Sequence, residues 1–186
     1  AMSKGRLLVL WVALAILAYI FASQDWYTLT MAPNGDSVKL GTYDGLTAYG
    51  NLSPVLMLNF AAILVVTFVG SLGRKVITAL IVLANLGTLA WMVTRVLSQD
   101  VSGLAKQVEQ MTGIAAAHGV EDLTVVTQGA PYGFLVSIGL LVAVSALVLF
   151  TENSWPKRPA RTELVDSKAK PSEPKDAIGI WDSQRR

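Results

Sequence analysis

Four stretches of the chain carry no charged residue: Leu7–Gln24, Gly45–Gly73, Val76–Thr94 and Leu123–Thr151. Each holds an apolar run long enough to cross a bilayer, which takes about 17–25 mostly apolar residues. Lipid offers backbone groups no partners, so each run must be helical. The pattern predicts four transmembrane spans, at about residues 7–24, 53–73, 76–95 and 132–151. Outside loops 25–52 and 96–131 join them, and a tail, 152–186, follows. The predicted class is an all-α integral membrane protein with four transmembrane helices. The first run follows Lys4 and Arg6 as the core of a secretion signal would. Cleavage after Ala22 would place Ile20 where a small residue is preferred, so the run reads as a retained anchor.

The loops have patterns of their own. Tyr27, Leu29 and Met31 alternate with Thr28 and Thr30, and Pro33-Asn34-Gly35-Asp36 separates them from Val38 and Leu40. That predicts a small extracytoplasmic β-hairpin with a tight turn. A lone hairpin is marginal in water, so it must rest on another element, the membrane or a partner. In the second loop, Val101, Leu104, Ala105, Val108, Met111 and Ala115 recur at helical spacing, with Asp100, Lys106, Glu109 and Gln110 elsewhere on the wheel. This predicts an amphipathic helix of roughly four turns, continuous with the third span and ended by Gly113 or Gly119. Leu123–Thr127 reads as a short strand able to pair with the hairpin. Trp26, Tyr27, Tyr43 and Tyr49 flank the spans, either as an interfacial belt or, for Trp26 and Tyr27, as a docking surface.

Composition supports the membrane assignment. The 186 residues are 53% hydrophobic and 15% charged, too few charges for a soluble surface. With no cysteine and one histidine, His118, disulfide frameworks, thiolate metal sites and multi-His sites are excluded. Charge then orients the chain. Lys4, Arg6, Arg74, Lys75 and eight basic residues of the tail total twelve on one side, against Lys39, Arg95 and Lys106 on the other. The positive-inside rule places both termini in the cytoplasm.

No ionisable residue lies deep in a span, which argues against proton relays and charged pores. Asn59 and Asn85 are the strongest polar groups inside and suit hydrogen bonding between helices. Small residues recur at four-residue spacing, as Ala18/Ala22, Gly133/Ser137 and Gly139/Ala143, a pattern that lets helices approach closely. Arg95, at the outer edge of span three, is placed to meet a lipid phosphate or a carboxylate such as Asp25 or Asp100. Arg74 and Lys75, with Trp155, Lys157 and Arg158 at the start of the tail, suit anchoring on an anionic leaflet. The rest of the tail has a disorder-like composition but ends in Ile178, Ile180 and Trp181, a small apolar cluster suited to docking. Catalytic groupings, phosphate loops and axial haem ligands are missing from the sequence, so no enzyme, cofactor, nucleic-acid partner or small-molecule substrate is expected.

Several short motifs give the chain a family likeness. These are the basic start before an apolar span, Trp26 in SQDWYTLT, the run DGLTAYGNLSPVLML leading into span two, Trp155-Pro156 after span four, and the late IGIWD. With them the chain resembles the actinobacterial family of tryptophan-operon-associated transmembrane proteins. The resemblance implies a plasma membrane setting and no assigned activity. The predicted function is a non-catalytic accessory subunit of a larger plasma-membrane complex, a respiratory-chain supercomplex being one host. It would contact other membrane subunits and phospholipid. The alternative is a homo-oligomeric facilitator of an apolar metabolite, its path lined by Asn59, Asn85, Trp11 and Trp91.

Overall fold

The computed structural model describes residues 4–31, 37–113 and 123–151. The first apolar run folds as helix α1, Lys4–Ala22. Strand β1, Asp25–Met31, follows directly; Tyr27 and Leu29 are buried between half-buried Thr28 and Thr30 as the alternation predicts, but Trp26 is buried too and Met31 only half-buried. It pairs antiparallel with β2, Val38–Asp44. The turn predicted between them lies outside the described residues. At Asp44 the chain changes direction. Its carboxylate accepts from the Thr47 backbone N–H at 3.0 Å, capping the one-turn helix α2, Gly45–Ala48.

Helix α3 spans Leu52–Phe68, with Pro54 tolerated in its first turn. The predicted second span of 53–73 is thus cut short. Val69 and Gly70 turn the chain, and helix α4, Ser71–Leu97, begins at once. Arg74 holds this turn, donating from Nε to the Val66 carbonyl at 3.1 Å and from Nη2 to the Val69 carbonyl at 3.2 Å.

The end of α4 corrects the expected continuous amphipathic helix. Gln99 takes a left-handed conformation, φ 51°. Its N–H bonds the Val96 carbonyl at 3.2 Å, while the Asp100 N–H bonds the Arg95 carbonyl at 3.1 Å. This is a Schellman stop built on a non-glycine residue. The Asp100 carboxylate then accepts from the Ser102 N–H at 2.9 Å and starts a single 3-10 turn, Ser102–Leu104. Helix α5, Ala105–Thr112, is only eight residues long and ends at Gly113, φ 69°. Val101, Leu104 and Val108 are buried as the helical spacing predicts, but Met111 is exposed. Ala115, His118 and Gly119 lie outside the described residues.

Strand β3, Leu123–Thr127, joins the free edge of β1, giving a three-stranded antiparallel sheet in the order β2-β1-β3. Gln128 extends the pairing through its N–H to the Trp26 carbonyl at 2.8 Å. Helix α6, Ala130–Thr151, closes the described fold.

The four long helices form a ring. α1 packs against α6 and α3, and α4 packs against the same two. One sheet ties together the end of α1 and the starts of α3 and α6, so neighbours around the ring run antiparallel. The start of α1, the α3–α4 turn and the end of α6 meet at the opposite end. Three of these helices, α1, α4 and α6, are long and apolar enough to cross a membrane; the fourth, α3, is a shorter apolar helix.

Candidate functional site

Two clusters gather the chemically distinctive side chains. The first is a polar triad inside the ring. Asn59 and Asn85 exchange both possible amide bonds, Asn59 Nδ2 donating to Asn85 Oδ1 at 2.8 Å and Asn85 Nδ2 to Asn59 Oδ1 at 3.0 Å. Asn59 Nδ2 also donates to the Val55 carbonyl at 3.0 Å, and Trp11 Nε1 donates to Asn59 Oδ1 at 3.3 Å. Both amide hydrogens and both oxygen lone pairs of Asn59 are engaged. A flipped Asn59 amide would set donor against donor at Trp11 and acceptor against acceptor at Val55, so the orientation is determined. All three residues are at most 1% exposed. Asn85 lies close to the middle of α4, so the triad links three helices near mid-depth. Thr78, also buried on α4, has a hydroxyl without a hydrogen-bond partner.

The second cluster lies where the sheet meets the helix ends. Trp26 stacks tilted on Phe134 at 5.3 Å and on Tyr49 at 5.8 Å between ring centroids. Tyr49 meets Trp91 edge-on at 5.6 Å. Trp26 Nε1 donates to the Phe21 carbonyl at 2.7 Å. Tyr49 Oη donates its single proton to the Asp100 carbonyl at 2.7 Å. Tyr27 must therefore be the donor in the 3.0 Å bond between the two phenols. Burial raises the pKa of both phenols, most strongly for Tyr49, whose bond to Tyr27 adds to the effect. Both are neutral hydrogen-bonding groups at physiological pH.

Glycines allow this close packing. A Cβ on Gly45 would run into the Trp26 ring, and one on Gly103 into the Ala48 carbonyl. At the rim, Arg95 pairs with Asp100 and lies 5.6 Å over the Trp91 ring. Hydrogen bonds from Ser102, then the Arg95 contact, hold the Asp100 carboxyl below its usual range against the opposing effect of burial. The pair's contribution is therefore present above the ordinary carboxylate range and is lost in strong acid. An open groove of about 560 Å³ runs beside it, lined by Ser98, Gln99, Asp100, Val101, Ser102, Ala105 and Val125.

The fold sorts the residues singled out in the sequence. Asn59 and Asn85 come together, joined by Trp11, but Trp91 lies in the other cluster, so the four do not line one path. Ala18 and Ala22 are fully buried, and Ser137 is buried with its hydroxyl bonded to the Gly133 carbonyl. A Cβ on Gly133 would come within 2.6 Å of the Phe21 ring. Gly139 departs from the packing expectation, because a Cβ there would meet open space. Trp26 and Tyr27 depart from the docking expectation: both are 0% exposed, covered by the chain's own sheet and helix ends. Arg74 is engaged by the carbonyls at the end of α3, beside half-buried Lys75, and Arg95 by Asp100. Trp155, Lys157, Arg158, Ile178, Ile180 and Trp181 lie outside the described residues.

Sequence patterns missed Phe134, Gly45 and Gly103 as members of the second cluster. Asp44, a helix-capping acid directly before Gly45, was the available signal for a turn there. No signal marked Phe134 within its uniformly apolar run. Among the described residues, no three His, Cys, Asp or Glu side chains gather as a metal site. No curated protein and no solved structure matches the chain. The family model for tryptophan-associated transmembrane proteins matches residues 8–184, nearly the whole sequence, and the chain belongs to that family.

Proposed function

We propose that the protein is a non-catalytic accessory subunit of a larger plasma-membrane complex. In this reading four helices span the membrane, both termini are cytoplasmic, and the sheet with α5 caps the outer face. The observation that carries it is the closed bonding of the Trp11–Asn59–Asn85 triad. A transport or catalytic site keeps polar groups available to a ligand, whereas these engage one another and hold three helices together. Work then falls to the surfaces, which suits a subunit that acts by packing and docking. Span number and orientation draw support from chain direction. α3 runs from the sheet end to the far end of the ring, and Arg6 near the start of α1 and Arg74 and Lys75 in the first turn of α4 lie at that far end.

The test is a tagged pull-down of the full chain from native membranes in mild detergent, read by native gel and mass spectrometry. A stoichiometric membrane complex, of which a respiratory supercomplex is one example, is the expected result. A lone homo-oligomer overturns the reading and turns attention to uptake by Asn59→Leu and Asn85→Leu variants in proteoliposomes.

A further inference from the structure

The two edges of the sheet are built differently. β2 carries Lys39, Gly41 and Asp44, and its register with β1 shifts twice. Charges and irregular pairing keep an edge strand from pairing with another chain. β3 has the sequence LTVVT, without charge, proline or glycine, and runs in unbroken register along β1. Among the described residues, no strand pairs with its outer side.

The register fixes which backbone groups point to that side. The Gln128 N–H bonds the Trp26 carbonyl, so Gln128, Val126 and Thr124 turn their backbone groups to β1, as alternate residues of an antiparallel ladder do. Those of Leu123, Val125 and Thr127 point away from it. Val125 stands opposite Leu29 and shares its face. It also lines the open groove beside Asp100, whose other lining is the α4–α5 corner, Ser98 to Ser102 with Ala105. Val101, Ala105 and Val125 make part of this lining apolar, and Asp100 is its charged residue. The Asp100 carboxylate holds Arg95 through one oxygen and the Ser102 N–H through the other, which leaves acceptor capacity on it. A strand added beside β3 pairs one residue with Val125 and turns that side chain to the same face, toward the groove. A lysine or arginine suits the place, its apolar stem along Val125 and Ala105 and its charged head at Asp100. Resting on the docking-subunit reading above, we propose that β3 is the docking edge. Its occupant is an extended segment of a partner protein, neutral but for a basic residue opposite Val125, bound as a fourth strand.

The test uses the full chain in phosphatidylcholine nanodiscs and two blocked, labelled peptides, Val-Thr-Lys-Thr-Val and Val-Thr-Glu-Thr-Val, read by fluorescence anisotropy. Each sequence reads the same in both directions, so its central residue meets Val125 in either strand orientation. The lysine peptide should bind, and the glutamate peptide at least about tenfold more weakly, the effect of one charge-assisted contact. Asp100→Asn, which keeps a capping acceptor, should level the two. Val125→Pro removes an N–H that β1 does not use, so it should fold as the parent does yet lose the lysine peptide. Ala105→Leu, which fills the groove, should show the same loss if Val125→Pro does not fold. No binding of the lysine peptide, equal binding of both peptides, or binding undiminished in Val125→Pro overturns the proposal. So does a dimer of the chain that Val125→Pro dissolves, which gives the edge to a second copy. Each of these removes β3 as the docking edge, while the subunit reading stands or falls by the pull-down.

Discussion

At the residue scale, Asn59 and Asn85 look equivalent in sequence, each a lone amide in an apolar run, yet the structure gives them unequal roles. Asn59 is bonded to Val55, Asn85 and Trp11, whereas Asn85 is bonded to Asn59. Asn59→Leu strands both the Asn85 amide and the Trp11 indole. Asn85→Leu leaves Asn59 with its Val55 and Trp11 contacts. With interhelical bonds in membranes worth about 0.6–2 kcal/mol, thermal unfolding in detergent should show Asn59→Leu as the more destabilising by about 1 kcal/mol. The double variant should lose less than the two losses added, because the amides share their bonds. Gln99 gives the opposite case, a residue less suited to its conformation than its alternative. A left-handed conformation costs a non-glycine residue about 1–2 kcal/mol, part of which glycine returns as chain entropy. Gln99→Gly should therefore raise stability by up to about 1 kcal/mol, and Gln99→Ala should not. The sequence made the amides visible as candidates for helix contact. Which of them is the hub depended on Trp11, which is far away along the chain and whose indole proton no periodicity assigns.

At the element scale, helix boundaries followed from local chemistry more than from hydropathy. The uninterrupted charge-free run Gly45–Gly73 contains a capped single turn, a loop and a helix of 17 residues. The apolar spacing of Val101 to Met111 fits one long helix, but the Schellman stop at Gln99 and the Asp100 cap divide it from α4. Hydrophobic period reports which face is buried and is blind to where the backbone changes hand. Small-residue stripes have the same limit. Gly133 and Gly139 stand in equivalent motifs on one helix, yet only Gly133 abuts another helix's side chain. Gly133→Ala should cost about 1–3 kcal/mol by crowding Phe21, while Gly139→Ala should stay within about 0.5 kcal/mol of the parent. Unfolding of both variants in the same detergent decides the matter. Equal costs would remove Gly133 as the α1–α6 contact.

At the scale of the described residues, an antiparallel ring of four helices carries a three-stranded sheet at one end and Arg6, Arg74 and Lys75 at the other. The absence of native cysteine makes this arrangement directly testable. Single cysteines replacing Thr42 on β2 and Lys75 at the α3–α4 turn should react with a membrane-impermeant maleimide from opposite sides of intact cells. Thr42→Cys should label from outside, and Lys75→Cys only after permeabilisation. Labelling of both from one side would remove α3 from the membrane.

The sequence by itself determined the membrane class, the helical runs, the asymmetry of charge, the hairpin and its third strand. These are properties of neighbouring residues: length of an apolar run, alternation, and charge at its ends. Tertiary structure alone decided that Trp26 and Tyr27 face inward rather than outward and that Trp11 bonds the asparagine pair while Trp91 does not. It also decided that Gly133 meets Phe21 while Gly139 faces open space. Those outcomes depend on which surfaces meet when the ring closes. In lipid, nearly every span surface is apolar, so hydropathy marks a side chain as membrane-buried without telling whether lipid or another helix covers it.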